Sequence, residues 1–256
     1  MKKRLNYYWR LFATGLSFSV FGIGGFLLWI VAFPVLNVIP ESPPKKRQRA
    51  QKCVHYSFYV FIGLMHRIGI MTYEINGLEK LNRPGQLILA NHPTLIDIVF
   101  LLSRIPTASC IVKKKLWHNP CMKGPIINAG YISNEDPEQM INSCADYLKS
   151  GGILVIFPES TRTVPNAKYK FQRGAATIAL QADTVVTPVT LHCVPSTLTK
   201  VEKWYQIPER RFHLSMTVGD DIALDEFQAI APRSIAVRRF NSYLQDYFSQ
   251  QRNHHE

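Results

Sequence analysis

The order of apolar and polar positions divides the chain into two regions. From Leu11 to Pro40 thirty consecutive residues carry no charge, and Leu11 to Phe33 is almost wholly apolar. A helix needs about 20 such residues to cross the hydrocarbon core of a bilayer. The run is too long for the apolar core of a signal peptide, and no small-x-small site follows it at cleavage distance. It predicts a membrane-embedded helix, or a re-entrant hairpin broken near Gly22, Gly24 and Gly25. A second apolar and aromatic segment, Cys53 to Tyr73, carries His55, His66 and Arg67. Those groups oppose a second full span. They predict a helix lying in the interface or packed on the first one, with a core helix as the alternative.

Downstream the pattern alternates. Short apolar runs at Gln86–Ala90, Ser109–Val112, Ala129–Ser133, Ile153–Phe157, Val185–Thr190 and Phe212–Val218 read as strands. Asp136-Pro137-Glu138 is a helix start: a capping side chain, a proline at the first helical position and an acid in the first turn. Met140, Ile141, Cys144, Tyr147 and Leu148 follow at helical spacing, and Gly151 closes that helix. Further helices are predicted over Gly174–Ala182 and Pro232–Phe248. The expected fold class is α/β, a central sheet flanked by helices, with N-terminal membrane-binding helices. The expected division is 1–75 for the anchoring helices and 76–256 for the sheet-containing domain.

Charge sharpens this picture. The net charge is +12, and residues 1–52 hold nine Lys/Arg against the single acid Glu41. The excess is therefore +8 in a fifth of the chain. Basic clusters on both sides of the apolar run fix no orientation but attract anionic lipid. Basic residues that flank an apolar helix, without interleaved stacking aromatics, argue for a membrane and against nucleic acid as the partner. The five cysteines are odd in number, widely spaced and form no C-x-x-C, so neither a zinc site nor a disulfide framework is expected. Reduced thiols fit a domain facing the cytoplasm.

The candidate chemistry stands where strands end. Leu87–Ala90 runs into Asn91-His92-Pro93-Thr94-Leu95-Ile96-Asp97. Proline at 93 predicts a helix starting there, with His92 near its cap and Asp97 about one turn in. Five residues rotate by about 140° on a helix, so the two side chains meet only if His92 sits on the loop and Asp97 reaches back. A carboxylate on one imidazole nitrogen fixes the tautomer and leaves the other nitrogen to take a proton from a hydroxyl. The strand Ile153–Phe157 ends in Pro158-Glu159-Ser160-Thr161-Arg162-Thr163. Here Glu159 is placed to accept from a hydroxyl, and Arg162 to fork onto a phosphate.

The two motifs together resemble the glycerolipid acyltransferase family, of which 1-acylglycerol-3-phosphate acyltransferases are typical. Val112-Lys113-Lys114-Lys115-Leu116 and Gly130-Tyr131-Ile132 resemble its second block, and Phe171–Ala175 and Val186–Val189 the elements after its third. The resemblance runs from about 85 to 195 and implies acyl transfer from acyl-CoA or acyl carrier protein to a lipid hydroxyl at a membrane surface. It implies His92 as general base, Asp97 as its orienter, and Glu159, Ser160, Thr161 and Arg162 as head-group contacts. No covalent intermediate, cofactor or metal is expected. The expected location is the inner or plasma membrane, with the site on the cytoplasmic face.

The chain departs from the family pattern twice. Ser160 stands where glycine is usual. Ser133-Asn134-Glu135-Asp136 stands where an arginine usually ends the second block, a loss of about 1.5–3 kcal/mol of charge-assisted bonding to a phosphate. The resemblance implies a lyso-lipid such as 1-acylglycerol 3-phosphate as acceptor, and that departure leans towards the alternative of an acceptor without phosphate, such as an aminolipid, a glycolipid or an aryl-polyene-type precursor. Lys113 to Lys115 are the alternative source of the missing charge. The competing functional class is a lipid-binding protein of the same fold without activity, and the intact His92/Asp97 pair argues against it.

Overall fold

A computed structural model describes residues 2–163 and 169–253. Its first part is helical throughout. Helix α1 (Lys2–Leu27) passes through a π-helical turn (Leu28–Ala32) into α2 (Phe33–Val38). The glycines at 22, 24 and 25 do not break it, so of the two alternatives the continuous helix forms there and not a hairpin broken at those glycines. Pro34 lacks an N–H and crowds the carbonyl four residues back, and the widened turn before it absorbs that crowding. The chain reverses at 39–42, and α3 (Pro43–Arg67) returns alongside.

The helix over Arg4–Val38 is long and apolar enough to cross a membrane, and almost none of it is buried. Leu5, Phe12, Ile23, Val31, Val35 and Val38 all present open apolar surface. By contrast, α3 is two-sided. Ala50, Val54, Phe61, Ile62 and Met65 enter the core, while Tyr56, Tyr59 and Val60 are exposed.

Seven strands form one sheet: β1 (Met71–Asn76), β2 (Leu87–Ala90), β3 (Ala108–Val112), β4 (Ile132–Ser133), β5 (Ile153–Ile156), β6 (Val186–Val194) and β7 (Phe212–Val218). Their spatial order is β1-β7-β6-β2-β5-β3-β4, parallel throughout except where β6 meets β7. The central strands are buried on both faces, which is why they read as continuous apolar runs. Ile88, Ala90 and Val155 face a core closed by α3 and α4 (Asp97–Leu102). Leu87, Leu89, Leu154 and Ile156 face the opposite core. That second core is built from α6 (Pro137–Lys149), α7 (Gly174–Ala182) and α9 (Arg233–Asn253). The α/β architecture with helices on both faces is the one the pattern predicted.

The differences lie at element ends. β1 was absorbed into the apolar segment 53–73, because α3 passes into it through Gly69, at φ +81°, without any drop in hydrophobicity. β1 also straddles the expected 75/76 division. The strand expected over 129–133 shrinks to Ile132–Ser133. Ala129 ends the preceding helix α5 (Pro120–Asn128), and Gly130 turns at φ +65°.

The N-terminal helix is seated on α5 through two glycines. A Cβ on Gly25 would fall onto the Cys121 carbonyl, and one on Gly124 onto Trp29. Asn37 Nδ2 donates to Asn128 Oδ1 at 3.0 Å further along. Gly25→Val is expected to overpack this contact and destabilise the detergent-solubilised protein by about 1–3 kcal/mol. Thermal unfolding of purified variant and wild type checks this, and an unchanged midpoint would show that α1 does not seat on α5 in this way.

Candidate active site

Helix α4 begins at Asp97, four residues later than the proline suggested. Residues 93–96 are a loop, and that loop lets the carboxylate fold back onto the histidine. Asp97 Oδ2 lies 2.8 Å from His92 Nδ1 and accepts from the Thr94 N–H at 2.6 Å, while Oδ1 accepts from Thr94 Oγ1 at 2.5 Å. The Asp97 side chain is fully buried and His92 is 17% exposed. A carboxylate with three partners and no solvent holds one imidazole tautomer and leaves Nε2 as the available nitrogen. Phe157 supports the ring from one face, stacked at 4.1 Å between centroids and 17° between planes.

The loop after β5 grips the same histidine through its backbone. The His92 N–H donates to Glu159 Oε1 at 3.0 Å, and the Thr163 N–H donates to the His92 carbonyl at 2.7 Å. Thr163 Oγ1 also donates to Glu159 Oε1, at 2.8 Å. Asn91 extends this stitching sideways, pairing its amide with both the N–H and the carbonyl of Leu191 on β6. His92 is thereby fixed at the carboxyl ends of neighbouring parallel strands, where α/β sheets place ligands.

A cavity of about 890 Å³ opens in front of His92. One wall is apolar and aromatic, with Phe18 and Phe21 from α1, Phe58 and Phe61 from α3, and Leu102 from α4. The loops at the strand ends contribute Lys113, Lys115, Ser160, Thr161 and Arg162. No Asp or Glu lines the cavity among the described residues. Such a space takes an amphiphile: a chain against the aromatics and an anionic group at the loops.

The expected site residues therefore fall into three groups. His92 and Asp97 form the pair. Lys113, Ser160, Thr161 and Arg162 reach the cavity wall. Glu159 does not line it; it is 8% exposed and serves the backbone of His92 and the Thr163 hydroxyl. Ser160 sits at φ +56°, the left-handed region where glycine is easiest, so the glycine usual at this position has a conformational reason. Arg162 spends Nη1 on the carbonyls of Leu198 and Thr199, at 2.8 and 2.7 Å. The acidic run at 135–136 is turned elsewhere. Glu135 is ion-paired with Lys114, and Asp136 accepts the Glu138 and Gln139 N–H groups to cap α6. Thr94, Thr163 and Phe157 were not singled out from the sequence. Thr94 alone carried a local signal, a hydroxyl three residues before the carboxylate.

A mostly parallel sheet covered on both faces thus carries a buried carboxylate–histidine pair at the head of an amphiphile-sized cavity. Residues 72–192 match the family model described as Acyltransferase. A 1-acyl-sn-glycerol-3-phosphate acyltransferase of Helicobacter pylori is 33% identical over 124 residues, which cover 44% of this chain and 52% of that protein. One of Pseudomonas aeruginosa is 27% identical over 182 residues, covering 69% of each. The match thus spans about half the length of the Helicobacter relative. The crystal structure of the 1-acyl-sn-glycerophosphate (LPA) acyltransferase PlsC of Thermotoga maritima superposes with a TM-score of 0.71. It covers 98% of this chain and 97% of that one at 16% identity, a likeness of fold.

Burial pushes the Glu159 carboxyl above the ordinary glutamate range, and the bonds from Thr163 and the His92 N–H offset this only in part. An acid raised on folding contributes stability that is present at low pH and is lost as pH climbs through the raised value. Glu159→Gln keeps an acceptor at Oε1 and removes that titration. The variant is expected to unfold with a flatter pH dependence above the ordinary carboxylate range, and Glu159→Ala to lose about 1–3 kcal/mol at every pH. Denaturant unfolding from pH 4 to 8 measures both; a Gln variant with the wild-type slope would remove Glu159 as the cause.

Proposed function

We propose that the protein is a membrane-bound O-acyltransferase of the 1-acylglycerol-3-phosphate type. It transfers a fatty acyl group from acyl-CoA or acyl carrier protein to the free hydroxyl of a lyso-lipid. The observation that carries this reading is the His92–Asp97 pair, held at 2.8 Å on a fully buried carboxylate, at the head of a cavity with an aromatic wall and, among the described residues, no acid. His92 Nε2 takes the proton of the acceptor hydroxyl as its oxygen attacks the thioester carbonyl. The tetrahedral intermediate then collapses, the C–S bond breaks, and the sulfur leaves as thiol with the proton returned from the imidazolium. Asp97, hydrogen-bonded at Nδ1, stabilises that imidazolium.

The acceptor is read as a phosphate-bearing lyso-lipid. The sequence favoured a phosphate-free acceptor because Asn134-Glu135-Asp136 replaces the usual arginine. With Glu135 held by Lys114 and Asp136 spent on the α6 cap, that acidity is directed away from the cavity. Lys113, Lys115 and Arg162 face into it. The named function of the relatives points the same way.

His92→Ala is expected to lower acyl transfer by about 10²–10⁴-fold with folding intact. The assay offers purified protein an acyl thioester with equal 1-acylglycerol 3-phosphate and phosphate-free lyso-lipids. Activity of the variant within fivefold of wild type would remove His92 as the base, and preference for a phosphate-free acceptor would overturn the acceptor reading.

The helix over Arg4–Val38 is read as the membrane anchor, with the active site on the cytoplasmic face beside the thioester pool. Its continuous exposed apolar surface supports burial in lipid, and the basic residues at both ends support attraction to anionic head groups. The full-length protein is expected to stay with membranes in high salt and to leave them in detergent. Release by salt alone would mean an electrostatic attachment.

A further inference from the structure

We propose that Lys200, carried by the strap between β6 and β7, is an additional cation for the acceptor's phosphate, replacing the arginine the second block lacks. The proposal rests on the phosphate-acceptor reading above. Among the described residues, five Lys/Arg side chains line the cavity: Arg10, Lys113, Lys115, Arg162 and Lys200. They are not equally free. Arg10 is 3% exposed and all three guanidinium nitrogens are used, on Asn6 Oδ1 and on the carbonyls of Pro208 and Glu209. Arg162 has spent one nitrogen on the strap. Lys200 makes no ion pair among the described residues, and the strap's nearby acid, Glu202, is taken by the Thr199 N–H at 2.9 Å.

The strap holds Lys200 in place. The Leu198 carbonyl accepts from Arg162 Nη1 and from the Leu95 N–H, three residues after His92. The Thr199 carbonyl accepts from the same Arg162 nitrogen. Leu198 and Thr199 are both buried, and Leu198 is held at φ +53°. Further along, Arg10 fixes 208–209, and Trp204 packs against Phe18 of α1 at 6.1 Å. The residue preceding Lys200 is thus tied to Arg162, and Lys200 faces the same cavity as the base. An anion drawn to Arg162 meets the Lys200 ammonium with no carboxylate among the described residues of the cavity wall to compete. The thioester donor also carries phosphate, so the test separates the two substrates.

Lys200→Gln and Lys200→Arg are compared with wild type in the full-length protein, varying 1-acylglycerol 3-phosphate and the acyl thioester in turn. The glutamine variant is expected to raise the acceptor KM roughly tenfold and to leave the donor KM unchanged, since an interaction shared by ground and transition states appears in KM. Arginine is expected to restore most of the loss, and thermal midpoints to stay at the wild-type value. An unchanged acceptor KM in an active glutamine variant would overturn the role of Lys200 alone. A rise confined to the donor KM would move its anion to the thioester carrier and overturn the proposal as stated. Wild-type protein that ignores 1-acylglycerol 3-phosphate would overturn the acceptor reading and this inference together.

Discussion

The burial of Asp97 sets the terms for everything around it. An unpartnered carboxylate away from water costs several kcal/mol, so this one is tolerable only with its acceptor positions filled. Thr94 fills two of them through its N–H and hydroxyl, and His92 fills the third. That requirement delays the start of α4, keeps residues 93–96 in a loop and fixes which imidazole nitrogen faces the cavity. A second carboxylate, Glu159, secures the other side of the same histidine through its backbone N–H. Two acids from two strand ends thus position one histidine.

The cavity joins surfaces of unlike origin. Apart from Arg10, its cations come from loops at the carboxyl ends of β3, β5 and β6, and His92 from that of β2, where parallel strands leave backbone and side chains free for ligands. Its aromatic wall comes from α1 and α3, elements outside the sheet. The β6–β7 strap closes the gap between them and is fastened at both ends by arginines, Arg162 from the site and Arg10 from the N-terminal helix. A helix with most of its surface bare of protein therefore still supplies buried contacts to the sheet-containing part of the chain. The apolar face that suits lipid and the polar face at Arg10, Thr14 and Ser17 lie on the same helix.

The sequence by itself determined the fold class and the pair of motifs. Strand runs such as Ile153–Ile156 and Phe212–Val218 are legible because burial on the sheet selects apolar residues at a fixed spacing. The α6 start is legible because a cap acts within three residues: Asp136 accepts the Glu138 and Gln139 N–H groups. His92 and Asp97 are close enough along the chain for their pairing to be inferred, and Arg162 stands in a motif specific enough to name. Only the tertiary structure decided what depends on distant partners. It showed that Glu159 serves the backbone of a residue 67 positions away, and that Glu135 is neutralised by Lys114 instead of facing the cavity. It showed that the glycines at 22, 24 and 25 continue a helix, where Gly25 admits the Cys121 carbonyl. It also brought Lys200 and Arg10, unremarkable in the sequence, to the same cavity wall. Local rules act over one helical turn or one strand, whereas the direction in which a charge points is set by what packs against it from elsewhere in the chain.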